Sequence, residues 1–195
     1  MSGNDTSHDR AVNKGTVDVG GLRLHYVEWG ERTRPHVLLV HGWDGTAHYW
    51  DLVAPALADR YHLVALTLRG RGQSDADPTG QYRFAAYGRD IREATRRLGF
   101  DRLGPLDEAV VRLRELQRRE SRDTLFPRQW EVLGKIRRRV LIVRGGRSES
   151  LLPDVAERTR AGLPDALLVE IPDCSHFPFL ERPRELTVLL SGFLA

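Results

Sequence analysis

Three short apolar runs, each closed by glycine, set the strongest limit on what this chain can fold into. They are "HVLLVHG" (His36–Gly42), "YHLVALTLRG" (Tyr61–Gly70) and "RVLIVRGG" (Arg139–Gly146). A strand with one face in water alternates apolar and polar residues. A run without alternation is covered on both faces, as the strands of a parallel sheet are. Parallel neighbours need long, usually helical, crossovers, and helical patterns do separate these runs. "TAHYWDLVAPALADR" places Trp50, Val53 and Leu57 at helical spacing around a disturbing Pro55, and "YRFAAYGRDIREATRRLG" ends at a plausible stop, Gly99. "PLDEAVVRLRELQRRE" begins with a proline suited to a first helical position and carries Val110, Leu113 and Leu116 on one face. "RQWEVLGKI" reads as a short helix, "LPDVAERTRAGL" as a helix, "ALLVEIPD" as a strand and "RPRELTVLLSGFLA" as a closing helix. At the front, "TVDVGGLRLHYVEWG" reads as two strands joined by a Gly20–Gly21 turn. The expected class is α/β, a three-layer sandwich with a mainly parallel sheet.

A length of 195 residues suits one domain, expected over residues 15–195 behind a disordered tail at residues 1–14. The tail has no apolar core and so does not read as a signal peptide. No apolar run approaches the roughly 20 residues of a membrane span. Cys174 is the single cysteine, which excludes an internal disulfide and fits a cytoplasmic location. The formal charge is +3, and arginines crowd Arg89–Arg122, but acids such as Asp90, Glu93, Asp107 and Glu115 are interleaved with them. That mixture reads as a solvated helical face rather than a nucleic-acid surface. No cofactor and no metal are expected, and oligomeric state is not legible.

Four stretches, taken together in chain order, resemble the α/β-hydrolase family. "VLLVHGWDGTAHYW" is similar to its oxyanion loop, "LTLRGRGQSD" to its next strand and Gly-rich turn, "VLIVRGGRSE" to its acid strand, and "IPDCSHFPFLERP" to its histidine loop. The resemblance implies nucleophile–histidine–acid chemistry on esters, amides, lactones or carbon–carbon bonds, with an ester-like small molecule as substrate. It assigns His176 as general base, Glu149 as the acid that orients it, with Asp154 competing, and Gly42 and Trp43 as the oxyanion loop. His41 reads as a turn cap, and Gly70, Gly72 and Ser74 as a tight turn rather than a dinucleotide site.

The nucleophile is unknown. The family sets a serine in G-x-S-x-G on a sharp strand-to-helix turn, and no such motif occurs anywhere in the chain. "LGFDRL" instead meets "GPLDEAVVRLREL", which resembles part of the mobile cap. The reading is an internal loss near Gly104, leaving a shortened α/β-hydrolase fold in which His36–Val40 could pair with Arg139–Val143. Such a chain is expected to be inactive or weakly active, a pseudoenzyme with a truncated catalytic core. A non-catalytic binding protein or a deletion remnant is the alternative, and Cys174 or Ser148 the substitute nucleophile to examine.

Overall fold

The computed structural model describes residues 12–42, 44–82, 84–100, 133, 134, 136 and 138–195. The expected helix Pro105–Glu120, with Val110, Leu113 and Leu116, lies outside the described residues, as do Trp43 and most of "RQWEVLGKI".

Strands β1 (Asn13–Val19) and β2 (Leu22–Trp29) form the expected antiparallel hairpin, with Val19 opposite Leu22. Gly20 and Gly21 take φ of 60° and 87°, a pair of left-handed residues that matches the twist of a tight hairpin. Strands β3 (His36–Val40) and β4 (His62–Leu66) are parallel, and β4 also pairs antiparallel with β2. The order β1-β2-β4-β3 therefore puts β4 inside the sheet, and all five of its residues are buried. The second sheet pairs β5 (Val140–Gly145) in parallel with β6 (Ala166–Ile171).

Among the described residues the hydrogen-bonded ladders thus form two sheets, and β3 is not paired with β5. What joins the sheets is side-chain packing. Residues from β3 (Val37, Leu39) and β4 (Leu63, Ala65) share one core with Leu141 of β5 and with Phe179, Leu186, Leu190 and Leu194 near the C-terminus. Alternate residues of the apolar runs enter different cores, as a period of two requires. Leu66 of β4 turns to the opposite face, against Val17, Leu24 and Ala94, the last from helix α1 (Phe84–Arg97). Ile142 of β5 likewise meets Ala156 of helix α2 (Pro153–Gly162). Helices α3 (Pro178–Glu181) and α4 (Pro183–Phe193) complete the layers. Gly99, at φ 82°, ends α1 where the sequence places the stop.

One element departs from expectation. The single helix foreseen after β3 is two 3₁₀ turns, Ala47–Trp50 and Ala54–Ala56. Pro55 sits at the start of the second turn and has no N–H to give, while the Ala47 N–H is taken by Thr67 Oγ1 at 3.0 Å. The helical spacing still does its work, because Trp50, Val53 and Leu57 all enter the shared core.

Candidate active site

Parallel strands aim their carboxyl ends, and the loops that follow, at one edge of a sheet, where ligands bind in open α/β folds. The loop after β3 begins with buried His41, which uses both ring nitrogens on the backbone. Its Nε2 accepts the Leu68 N–H at 2.9 Å, so Nδ1 carries the proton and donates to the Gly42 carbonyl at 2.5 Å. His41 therefore ties the turn after β3 to the turn after β4, the capping role the sequence suggested. Gly42 is half-buried, and its carbonyl accepts the Gly45 N–H at 3.2 Å.

The turn after β4 is structural too. Ser74 Oγ donates to the Thr67 carbonyl at 2.7 Å and accepts the His25 N–H at 2.9 Å. Arg69, also buried, clamps Asp90 of α1 through two bonds of 2.5 and 2.6 Å. "GRGQS" is a tight turn with φ of 70° at Gly70 and 46° at Gly72.

After β5 the chain makes the turn that brings the site's residues together. The Ser148 N–H donates to the Gly145 carbonyl at 2.9 Å, and Arg144 holds the loop by donating to the Leu151 carbonyl at 2.7 Å. Ser148 rolls inward, 4% exposed, and its Oγ lies 2.8 Å from His176 Nδ1. Glu149, one residue on, rolls outward and is exposed, as is Asp154 in the first turn of α2. The structure therefore puts Ser148 on the ring of His176, while Glu149 and Asp154 are exposed.

His176 sits in the loop after β6. That loop approaches β5 so closely that a Cβ on Gly145 would lie 1.8 Å from the Ser175 carbonyl oxygen. Asp173 opens the loop at φ 50°, and its carbonyl accepts from Arg147 Nη2 at 2.7 Å. Ser175 donates its N–H to Glu181 at 3.0 Å and its hydroxyl to the same carboxylate. The hydroxyl bond, ahead of the amide bond, holds the Glu181 carboxyl below its usual range. Cys174 is fully buried, and burial, followed by the charge of Glu181, pushes its thiol up. A buried thiol kept protonated is not a nucleophile.

A run of aromatic rings connects the histidine loop to the loop after β3. His176 meets Phe177 edge-on at 5.6 Å, Phe177 meets Phe179 edge-on at 5.8 Å, and Phe179 stacks on Tyr49 at 4.7 Å. The Tyr49 hydroxyl then donates to the Asp44 carbonyl at 3.2 Å. Sequence reasoning missed this run. Its only trace is the close spacing of Phe177 and Phe179 around Pro178. Among the described residues, no group of three or more His, Cys, Asp or Glu could hold a metal, and no helix is long and apolar enough to cross a membrane.

Two family models match the chain. One, described as alpha/beta hydrolase fold, covers residues 35–104, and the other, alpha/beta hydrolase family, covers residues 93–188. The chain belongs to the α/β-hydrolase fold family. The first match ends at Gly104, and the second runs across that point. Soluble epoxide hydrolase of Corynebacterium sp. (strain C12) is 38% identical over 53% of this chain and 33% of its own length. Fluoroacetate dehalogenase of Burkholderia sp is 42% identical over 44% of this chain and 29% of its own. This α/β-hydrolase chain thus spans about a third of the curated relatives it matches. A CIB-like hydrolase from Thermoplasma acidophilum superimposes with a TM-score of 0.76 at 18% identity, over 94% of this chain and 98% of that one. At that identity the likeness shows the fold: a shortened α/β-hydrolase fold.

Proposed function

We propose that this chain keeps the histidine and oxyanion loops of an α/β-hydrolase without its nucleophile, and is a non-catalytic or residually active member of the family. One observation carries the reading: G-x-S-x-G is absent from the whole sequence. The geometry supports it, because each substitute has another commitment. Ser74 is bonded to Thr67 and His25, Ser175 to Glu181, and Cys174 is buried. Ser148 does reach the histidine, but its oxygen also accepts the Leu151 N–H at 3.0 Å, and it is buried.

Without a triad member, a site keeps roughly 10³–10⁴ over water from its oxyanion hole and binding. The family's second oxyanion donor is the amide after the nucleophile, and losing one donor removes about 10²–10³. What remains is close to the uncatalysed rate. The role left for the site is to hold a small molecule with an ester-like or other hydrogen-bond-accepting group, with His176, Gly42 and Trp43 the residues proposed to face it. Glu149 is kept in the proposal as a surface acid beside the site rather than as a partner of the ring.

The test is intact-mass measurement after exposure to excess fluorophosphonate or activated ester, with His176→Ala as control. No adduct is expected on either protein. One adduct on the parent chain and none on the control would overturn the reading, and peptide mapping would name the nucleophile.

A further inference from the structure

We infer that Ser148 fixes His176 with its ring proton on Nε2, a buried atom, so that this histidine is set as a hydrogen-bond donor and not as a base. A hydroxyl carries one proton and two lone pairs. The Leu151 N–H, a donor that cannot reverse, uses one lone pair of Ser148 Oγ at 3.0 Å. The other contact of Ser148 Oγ is His176 Nδ1 at 2.8 Å. Ser148 is buried, so its proton is directed to a protein acceptor rather than to bulk water. Nδ1 is that acceptor. A neutral imidazole that accepts at Nδ1 carries its hydrogen on Nε2.

A carboxylate in the same place would do the opposite. It has no proton to give, so it accepts from Nδ1–H and leaves the Nε2 lone pair free to take a proton from a nucleophile or a water. Exchanging the triad aspartate for an uncharged amide in a serine protease stabilises the wrong tautomer and lowers kcat by about 10⁴. The serine acts in the same direction. It also supplies no negative charge to stabilise an imidazolium. Glu149 has the right chemistry but is exposed, one residue further along the turn. Ser148 is therefore a positioning residue: it leaves the buried Nε2 with a proton to give to an acceptor such as a carbonyl or carboxylate. The inference rests on the proposed reading only in taking His176 as the histidine of the site. The absence of a nucleophile plays no part in it.

The experiment is a long-range ¹H–¹⁵N spectrum of the uniformly labelled full chain at pH 8, where neutral rings dominate. His176 is assigned by the signals lost in His176→Gln. Its Nε2 is expected to be the protonated nitrogen and its Nδ1 the bare one. Ser148→Asp keeps an acceptor for the Leu151 N–H and should move the proton to Nδ1. A parent spectrum with the proton on Nδ1 overturns the inference, whether or not any variant folds. So does a folded Ser148→Asp chain whose ring is unchanged. A fluorophosphonate adduct would overturn the proposed function while leaving this spectrum as expected, so the two failures are distinguishable.

Discussion

The Tyr61 hydroxyl donates a 2.8 Å hydrogen bond to the Leu194 carbonyl, joining the start of β4 to the last turn of the chain. Among the described residues no backbone ladder connects the two sheets, and this bond and the shared core hold them together. Tyr61 is 3% exposed, so its loss cannot be made good by water. Tyr61→Phe should cost about 1–3 kcal/mol, the usual penalty for stranding a buried partner. Urea unfolding followed by tryptophan fluorescence measures it. One cooperative transition is expected in parent and variant, because both sheets contribute to one core. Two separate transitions would show that the sheets fold independently.

Gly145→Ala tests the packing that delivers His176. The added Cβ would meet two backbone oxygens, Ser175 O at 1.8 Å and Cys174 O at 2.6 Å, and neither is a flexible side-chain tip. The histidine loop must move. Overpacking of this kind costs about 1–3 kcal/mol or more, and the His176 ring signals should shift with it. Unchanged stability and unchanged signals would mean that the loop is not seated on β5.

Asp90→Ala should cost about 3–5 kcal/mol, because it leaves the buried Arg69 guanidinium without its two-pronged partner. Asp77 also contacts Arg69, which places the expectation at the lower end. Chemical denaturation reads the value. A loss under half a kcal/mol would mean that α1 is not anchored through this pair.

Acid should destabilise the fold through the amino edge of the sheet. Glu28 accepts from Arg32 at 2.7 and 3.0 Å and from His62 Nε2 at 2.6 Å. Burial works against the Glu28 charge, but the bonds from Arg32 and His62 outweigh it and hold the carboxyl below its usual value. Burial pushes His62 below its ordinary value and outweighs the pull of Glu28. Each group binds fewer protons folded than unfolded, so stability rises with pH. The His62 share is present in full above about 6.5 and is lost as pH falls from there, and the Glu28 share goes below about 4.5. Urea midpoints from pH 8 to pH 4 measure the slope. His62→Gln should flatten it between pH 7.5 and 5.5, and an unchanged slope there would remove His62 from the account.

Whatever is local was legible in the amino-acid sequence. The Gly20–Gly21 hairpin, the runs that became β3, β4, β5 and β6, and the stop at Gly99 are each written in adjacent residues, because strand period and left-handed glycine are short-range properties. The missing nucleophile motif was legible for the same reason. Three outcomes belonged to the tertiary structure. The first 3₁₀ turn around Trp50 is tied at its start to Thr67, twenty positions away, through the Ala47 amide, which has no acceptor inside its own turn. Among the described residues, β3 and β5 fell into two sheets that share one core through their side chains. Finally, Ser148 reached His176 while its neighbour in sequence, Glu149, stayed exposed. A turn swings successive side chains to different sides. Which one meets the ring depends on where a loop 28 residues further on comes to rest, and no pattern around the turn itself encodes that.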